Sequence, residues 1–310
     1  MQELDNNIGI VVRTTGESYI VRTLSGDLQK CFIKGNFRIK GIKSTNPLAI
    51  GDKVHFLTSD NSEYALIDNI FDRRNYIIRR STNLSKQTHI IAANLDKVFL
   101  VISACLPKTD TMFIDRFLVS ANAYNVPVEI VLNKADLYDE EASLYAGFLM
   151  ELYESIGYKC WLISATEKKG INRLKESMKG NVSMFAGNSG VGKSTIINAL
   201  YPQAQLKTGE ISALHHSGKH TTTFAQMISF EGIDIIDTPG IKSFGMVKIK
   251  KEELALYFPE MKARLQDCKY YNCTHTHEPQ CAIKNAVEEG DISIERYNNY
   301  LKLLSADDMN

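Results

Sequence analysis

The chain has 310 residues, of which 44% are apolar and 23% are charged, so it is long enough for two or three domains with their own cores. Lysine plus arginine and aspartate plus glutamate number 36 each, so the net charge gives no information about a polyanionic partner, and a local basic patch could still exist. The longest apolar run, residues 98–106, is too short to span a bilayer, and the N-terminus lacks a signal-peptide pattern. We therefore expect a cytoplasmic protein without membrane contact.

Residues 1–72 alternate between short apolar stretches and turns, in the order GIVVRTT, ESYIVRTL, LQKCFIK, KVHFLT and YALIDNI. Five strands without a helix predict a small barrel or sandwich and favour an OB-like barrel, a fold often used on nucleic acid. A basic cluster in and after this region indicates either RNA contact or a solvated rim. Its members are Lys30, Lys34, Arg38, Lys40, Lys43, Arg73, Arg74, Arg79 and Arg80.

In residues 73–245 the sequence pattern changes: continuous apolar strands alternate with helical stretches. The strands are VFLVIS, PVEIVL, CWLIS, VSMFAG and IDIIDT. This pattern is typical of a mostly parallel sheet with helices on both faces. Residues 246–310 contain charged helical segments around a group of cysteines and histidines, with too few apolar residues for a large core. We expect a metal to substitute for part of that core.

A phosphate-binding loop is predicted at GNSGVGKS, which follows the apolar strand VSMFA and begins a helix. Its backbone N–H groups would converge on phosphate oxygens at the helix N-terminus, Lys193 would reach the β- and γ-phosphates, and the Ser194 hydroxyl would bind Mg²⁺.

Two further segments fit the parts of a nucleotide switch. Asp237 ends the strand IDIID and is followed by TPG, so it could hold Mg²⁺ through water while the Gly240 N–H approaches the γ-phosphate. Between this segment and the loop, KHTTTF offers Thr221, Thr222 and Thr223 for the threonine that completes the Mg²⁺ shell, and we favour Thr222.

Guanine recognition is indicated by NKAD, which begins at Asn133, and by Ser164 and Ala165 after the strand CWLIS. The Asp136 carboxylate can accept hydrogen bonds from N1–H and the exocyclic amine, a donor pair that adenine lacks. The Lys134 stem would cover one ring face and the Ala165 N–H would reach O6. In ordinary GTPases the phosphate motifs precede the guanine motifs, so the order here predicts a circularly permuted domain.

A zinc site is predicted in DCKYYNCTHTHEPQC, where three thiolates and one imidazole complete a closed tetrahedral shell. We favour His275 as the nitrogen ligand, with His277 as the alternative. With no open position, the site should be structural. Cys31, Cys105 and Cys160 are interpreted as core thiols.

The barrel, the permuted motif order and the Cys-x4-Cys-x-His-x5-Cys end together resemble the RsgA family, also called YjeQ or YloQ, over the whole chain. The resemblance implies an OB-fold, a permuted GTPase domain and a zinc domain in a small-subunit-dependent ribosome maturation factor, with rRNA and subunit proteins as partners. Many members are expected to carry a histidine a few residues beyond DxPG, where this chain has residues 244–248, FGMVK. A general base at that position is therefore not expected here, because Lys248 would be protonated.

The sequence thus predicts a multidomain α/β protein: an OB-like barrel (1–72), a permuted GTPase domain (73–245) and a helical zinc-binding domain (246–310) in a monomer that hydrolyses GTP to GDP and phosphate. Alternatives are a nucleotide-gated rRNA-binding assembly factor and an RNA-modifying enzyme that uses GTP, although no further cofactor motif supports the latter. The predicted nucleotide contacts are Asn133, Lys134, Asp136, Ser164, Ala165, Gly187, Asn188, Ser189, Gly190, Val191, Gly192, Lys193, Ser194, Thr195 and Asp237. The predicted catalytic residues are Lys193, Thr222 and Gly240, the magnesium ligands are Ser194, Thr222 and Asp237, and the zinc ligands are Cys268, Cys273, His275 and Cys281.

Overall fold

The computed structural model describes residues 7–15, 18–33, 47–59, 62–80, 88–206, 226–237 and 249–306. The N-terminal region forms the predicted five-stranded barrel, because alternate side chains of each strand point into a common apolar core. The strands are β1 (Ile8–Thr14), β2 (Tyr19–Thr23), β3 (Leu28–Ile33), β4 (Lys53–Leu57) and β5 (Ala65–Ile70). They follow the order β1-β2-β3-β5-β4, and pairing of β1 with β4 closes the barrel.

A two-stranded hairpin that the sequence analysis did not separate from the next domain follows the barrel. Its strands are β6 (Tyr76–Arg80) and β7 (Thr88–Ala93), which pair antiparallel with an irregularity between Ile77 and Ile78. The alternation of apolar residues in these two short segments was the signal from which this hairpin could have been predicted. A bridge between Ile50 and Ala92 connects the hairpin to the barrel.

The central domain is built on the predicted, mostly parallel sheet. Its strands are β8 (Lys97–Ile102), β9 (Val128–Leu132), β10 (Cys160–Leu162), β11 (Val182–Ala186), β12 (Gln226–Phe230) and β13 (Ile233–Asp237). They lie in the order β10-β9-β8-β11-β13-β12, and all neighbours are parallel except β12, which runs antiparallel to β13. Parallel strands share a carboxyl edge, so the loops after β8, β9, β10 and β11 gather on one side.

Helices cover both faces of this sheet. Those of the central domain are α1 (Thr111–Ala123), α2 (Glu140–Ser155), α3 (Ile171–Met178) and α4 (Lys193–Leu200). Buried residues of α1 and α2 pack on one face, and those of α3 and α4 pack on the other. The Asp110 and Asp139 side chains accept hydrogen bonds from N–H groups in the first turns of α1 and α2, which fixes where these helices begin.

The barrel and the central domain share one eleven-stranded sheet, because β1 pairs with β12 at Arg13 and Gln226. The guanidinium of Arg22 also donates two hydrogen bonds to the Asp234 carboxylate, at 2.8 and 2.6 Å. One contiguous apolar core continues from the barrel interior to the face of the sheet covered by α1 and α2.

The C-terminal region contains α5 (Pro259–Lys262), α6 (Ala282–Glu288) and α7 (Ile294–Ser305), after a 3₁₀ helix at Lys251–Tyr257. It has a larger apolar core than we expected, because short, widely spaced apolar segments converge on α1 and share its Val119. Phe258 and Tyr300 stack edge to face within this core. Among the described residues, no helix is long and apolar enough to cross a bilayer.

Candidate functional site: a guanine-nucleotide pocket and a metal cluster

The phosphate-binding loop leaves β11 and enters α4, as the motif predicts. All three of its glycines have positive φ, with values of 139° at Gly187, 81° at Gly190 and 98° at Gly192. A Cβ atom at Gly187 would lie 2.1 Å from the carbonyl oxygen of Val101, and one at Gly192 would lie 2.3 Å from Nδ2 of Asn133. Both positions therefore require glycine, for conformation and for space.

Lys193 begins α4, and its ammonium group lies over the loop. Its Nζ donates to the carbonyls of Gly187 and Asn188 at 2.8 and 2.7 Å. Burial lowers the pKa of Lys193 because the charged form loses hydration. A phosphate group at the same loop would replace that hydration with a direct charge interaction.

Asn133, the first residue of NKAD, is 2% exposed and joins three parts of the pocket. Its Nδ2 donates to the Val191 carbonyl of the phosphate loop at 3.0 Å, and its Oδ1 accepts from the Ala165 N–H at 3.1 Å. Its own N–H donates to the Ile102 carbonyl at the end of β8 at 2.9 Å. The structure thus brings the phosphate and guanine motifs together through one side chain.

In the structure, the groups of Asn133 and Ala165 that were predicted to contact the nucleotide bind each other and the phosphate loop. Because both side-chain ends of Asn133 bind protein groups, this residue braces the pocket. The Ala165 N–H is engaged by Asn133, so a contact with guanine O6 would have to share or replace that bond.

Asp136 is exposed at the carboxyl edge, where it can receive a base. One of its oxygens accepts from the Ser164 hydroxyl at 2.5 Å, which orients the carboxylate. Lys134 has a left-handed backbone, with φ of 71°, and its Nζ donates to the carbonyl of Leu106 in the loop after β8. The Lys134 stem therefore lies between the NKAD turn and that loop.

Several predicted residues lie outside the described part of the chain. They are Thr221, Thr222, Thr223, Gly240 and residues 244–248; Ile241, which follows the DTPG motif, also lies outside. Asp237 is described only through its backbone, which ends β13 and pairs with Gln226 of β12. Because β13 lies next to β11, the backbone of Asp237 ends on the same side of the sheet as the phosphate loop.

The four favoured zinc ligands converge in the C-terminal region. The ligand atoms of Cys268, Cys273, His275 and Cys281 all lie within 4.8 Å of one another. His275 Nδ1 lies 3.7 Å from Cys268 Sγ and 3.4 Å from Cys281 Sγ. A tetrahedral zinc ion gives sulfur–nitrogen separations of about 3.5 Å, so the donors fit this ion. His277 lies outside the cluster and contacts Thr276.

Helix α7 supports the loop that carries the cluster. The hydroxyl of Tyr297 donates to the carbonyl of His275 at 2.6 Å, and that of Tyr300 donates to the carbonyl of Thr274 at 2.8 Å. Burial lowers the pKa of His275, which favours the neutral imidazole that binds metals. Burial raises the pKa of Cys273 to about 12, so a thiolate here requires a compensating cation.

The remaining cysteines differ in burial. Cys31 is fully buried in the barrel, and burial raises its pKa to about 12. Cys105 and Cys160 are half-buried and pack at the margin of the larger core. None of the three belongs to the metal cluster.

The basic cluster divides into residues with different environments. Arg73 is neither an RNA-facing residue nor part of a solvated rim, since it is buried and binds the Asp52 carboxylate through two bonds of 2.6 Å. Arg74 donates to Asp96 at 2.8 Å, and Lys30 lies over the ring of Tyr64 at 4.7 Å from its centroid. The side chains of the other members lie outside the described residues: Lys34, Arg38, Lys40, Lys43, Arg79 and Arg80.

Two residues of the assembled structure were not identified from the sequence. Arg296 of α7 is 1% exposed and binds Asp115 of α1 at 2.5 Å and Glu260 of α5 at 2.8 Å. Tyr138 binds the carbonyl of Asn133 at 2.7 Å. No local pattern marks either residue, although a lone arginine in an amphipathic helix was a weak signal for Arg296.

Phosphate and guanine motifs at one edge of a parallel sheet, in permuted chain order, define a circularly permuted GTPase. The sequence profile of the RsgA GTPase family matches residues 70–247. The chain belongs to this family and is a GTP-hydrolysing enzyme.

Curated relatives and solved structures agree with this assignment. Over 297 residues the chain is 52% identical to the small ribosomal subunit biogenesis GTPase RsgA 2 of Bacteroides thetaiotaomicron, covering 96% of each chain. It is 53% identical over 304 residues to the small ribosomal subunit biogenesis GTPase RsgA of Flavobacterium psychrophilum, covering 97% of this chain and 93% of the relative.

The structure resembles that of YjeQ from Thermotoga maritima with a TM-score of 0.79 and 35% identity, covering 96% of this chain and 97% of the other. It resembles that of YloQ, described as a circularly permuted GTPase, with a TM-score of 0.76 and 28% identity, covering 98% and 96%.

Proposed function

We propose that this protein is a biogenesis factor for the small ribosomal subunit, and that the subunit stimulates its hydrolysis of GTP. The observation that carries the nucleotide assignment is the position of Asn133, which joins the phosphate loop to the guanine motif. The ribosomal assignment is supported by relatives of about the same length that are named small ribosomal subunit biogenesis GTPases.

The described residues divide the binding of GTP between two ends of the pocket. Backbone N–H groups of residues 187–195 and the Lys193 ammonium would bind the phosphates, while Asp136, oriented by Ser164, would bind the guanine edge. As phosphoryl transfer proceeds, Lys193 and the loop amides would stabilise the developing negative charge.

Magnesium fits the donor set near the start of α4. The hydroxyl of Ser194 follows Lys193 on the first turn of this helix, and Asp237 ends the strand beside β11. We assign these residues and Thr222 as the groups that would hold Mg²⁺, which supplies charge neutralisation at the phosphates when bound.

Slow turnover without a partner is expected from the residue that follows DTPG. In Ras-like enzymes this position is a glutamine that orients the attacking water, whereas Ile241 can neither donate nor accept a side-chain hydrogen bond. Partner-supplied groups in GTPases contribute about 10³ to 10⁵ in rate. We assign this role to the small subunit.

The cysteine-histidine cluster is assigned a structural zinc ion. Three sulfur atoms and one nitrogen atom fill a tetrahedral shell and leave no position for a substrate. The ion would fix the loop of residues 268–281 on α7. We further propose that rRNA is part of the bound surface and that the protein acts as a cytoplasmic monomer.

The test is phosphate release measured with and without purified small subunits, together with co-sedimentation in GDP and in a non-hydrolysable GTP analogue. We expect subunits to accelerate release and the analogue to tighten binding, since nucleotide and subunit affinities are linked. Nucleotide-dependent binding without acceleration would favour the gated assembly factor instead. An unchanged rate together with equal binding in both nucleotides would reject the ribosomal assignment and leave the GTPase assignment intact.

A further inference from the structure

Tyr138 lies just after the NKAD turn, and its hydroxyl group bridges two strand ends. Its Oη donates to the carbonyl oxygen of Asn133 at 2.7 Å. The same oxygen accepts a hydrogen bond from the N–H of Ala104, beyond the end of β8, at 3.2 Å. Asn133 and Ala104 are buried, so both bonds satisfy backbone groups that have little access to water.

The bond from Tyr138 completes the set of polar groups on Asn133. The backbone N–H and both side-chain ends of this residue bind Ile102, Val191 and Ala165. The backbone carbonyl is the remaining polar group, and Tyr138 supplies its donor. A buried residue with a partner on each polar group is held in one orientation, because rotation would break several bonds.

The same bond reaches the residue that would read guanine. Asp136 lies between Asn133 and Tyr138 in the chain, within a turn that includes a 3₁₀ helix at Ala135–Leu137. The turn is fixed at its start by Asn133 and at its end by the Tyr138 hydroxyl, which returns to Asn133. The Ser164 hydroxyl and backbone bonds of Ala135 and Leu137 also hold this turn, and the Tyr138 bond adds its closure at the C-terminal end, so the position of the Asp136 carboxylate depends in part on Tyr138.

We infer that Tyr138 is a positioning residue for guanine selectivity: its hydroxyl closes the NKAD turn and so fixes the Asp136 carboxylate against the base. The inference rests on the proposed role of Asp136 in base recognition. It adds a determinant of selectivity that does not itself touch the nucleotide.

Tyr145 of α2 provides a matched control, because its hydroxyl also binds the loop after β8. Its hydroxyl donates to the carbonyl of Thr109 at 2.8 Å. Thr109 lies in the loop after β8, which begins at Ser103. Like Tyr138, it is half-buried and packs against the larger core. It makes no hydrogen bond to the NKAD turn among those of the described residues. Tyr138→Phe and Tyr145→Phe thus each remove a hydroxyl group that binds the loop after β8, one near its start at Ala104 and one near its end at Thr109.

The experiment compares the binding of GDP with that of IDP. IDP lacks the exocyclic amine from which the Asp136 carboxylate would accept a hydrogen bond. Titration calorimetry gives the dissociation constants for the wild-type protein and both variants. For Tyr138→Phe we expect GDP binding to weaken by about five- to thirtyfold, because a displaced Asp136 carboxylate would lose part of its charge-assisted hydrogen bonding to the base. IDP binding should weaken less, so the preference for GDP should fall by at least about threefold. Tyr145→Phe should keep the wild-type preference.

The ratio of GDP affinity to IDP affinity shows whether Tyr138 positions Asp136 or only stabilises the fold. If GDP and IDP weaken equally in Tyr138→Phe, or if neither weakens, the inference is overturned. A wild-type protein without any preference for GDP would instead reject the base-binding role of Asp136. If Tyr138→Phe does not fold, as judged by thermal unfolding, a fluorinated tyrosine at position 138 retains the shape and changes the donor strength. An altered GDP preference in that protein supports the inference, and an unaltered one overturns it.

Discussion

The GTPase domain is joined to its two neighbours in different ways. At the barrel, the junction consists of strand pairing between β1 and β12, a continuous apolar core and the Arg22–Asp234 ion pair. At the C-terminal region, α7 places Arg296 between Asp115 and Glu260, and an apolar core around Val119 of α1 also joins the GTPase domain to this region. The first junction is distributed over many groups, whereas the second concentrates buried charge on one side chain.

This difference predicts different responses to substitution. Backbone bonds and apolar contacts each contribute little, and the loss of one side chain leaves the others in place. A buried arginine with two carboxylates leaves uncompensated charge when it is removed. Single substitutions should therefore affect the C-terminal junction more than the barrel junction.

Loss of zinc should give the largest effect and should remain within the C-terminal region. We expect removal of the metal by a chelator to destabilise residues 249–306 by more than about 5 kcal/mol, since metal binding free energy is folding free energy in such sites. Hydrogen exchange should show lost protection around residues 268–281, with the barrel unchanged. Protein that contains no zinc by elemental analysis when prepared without chelator would contradict the assignment.

Arg296→Ala should give the next largest effect. Removal of one partner from a buried ion pair costs about 3 to 5 kcal/mol, because the Asp115 carboxylate and that of Glu260 would remain buried without their counter-charge. Urea unfolding measures the change. Arg264→Ala is the control, since Arg264 forms a more exposed ion pair with Asp291 and should cost at most about 1 kcal/mol. Equal costs for both variants would show that burial of the charge at Arg296 adds nothing to the C-terminal junction.

Arg22→Ala at the barrel junction should cost about 1 kcal/mol or less, because the ion pair is partly exposed and strand pairing remains. The free energy of unfolding of Arg22→Ala should be compared with that of Lys175→Ala, which removes an ion pair away from the barrel junction. Lys175 pairs with Glu231 in the turn between β12 and β13. A cost near that of Arg296→Ala would show that the barrel junction also depends on one residue.

Acid should weaken the barrel junction by the smallest amount. Burial alone would raise the pKa of Asp234, but hydrogen bonds from Arg22 and Ser229 outweigh it and lower the pKa below its ordinary value. Such a carboxylate contributes stability that is complete above its unfolded pKa, about 3.9, and is lost as pH falls through the lower folded value. The stability difference between wild type and Asp234→Asn should therefore be constant from about pH 7 to pH 5 and vanish at lower pH. A difference that grows on acidification would reverse the assigned sign.

The sequence predicted much of this architecture because many of its signals are local. Alternation gave the five barrel strands, and continuous apolar runs gave the parallel strands of the GTPase sheet. The β6–β7 hairpin and the size of the C-terminal core were missed, since both depend on short segments whose apolar residues meet only after folding. The basic cluster was a local signal that misled at Arg73, which pairs with Asp52 inside the barrel region.

By itself, the sequence determined the motifs whose chemistry is carried by neighbouring residues. Gly187, Gly192 and Lys193 act through local backbone angles and a helix start, and the metal ligands lie within one short segment. The tertiary structure alone decided how Asn133 meets Val191 and Ala165, and how Arg296 meets Asp115. The physical reason is that a hydrogen bond or ion pair depends on distance in space, and residues far apart in the chain acquire that distance only when the sheet and helices have packed.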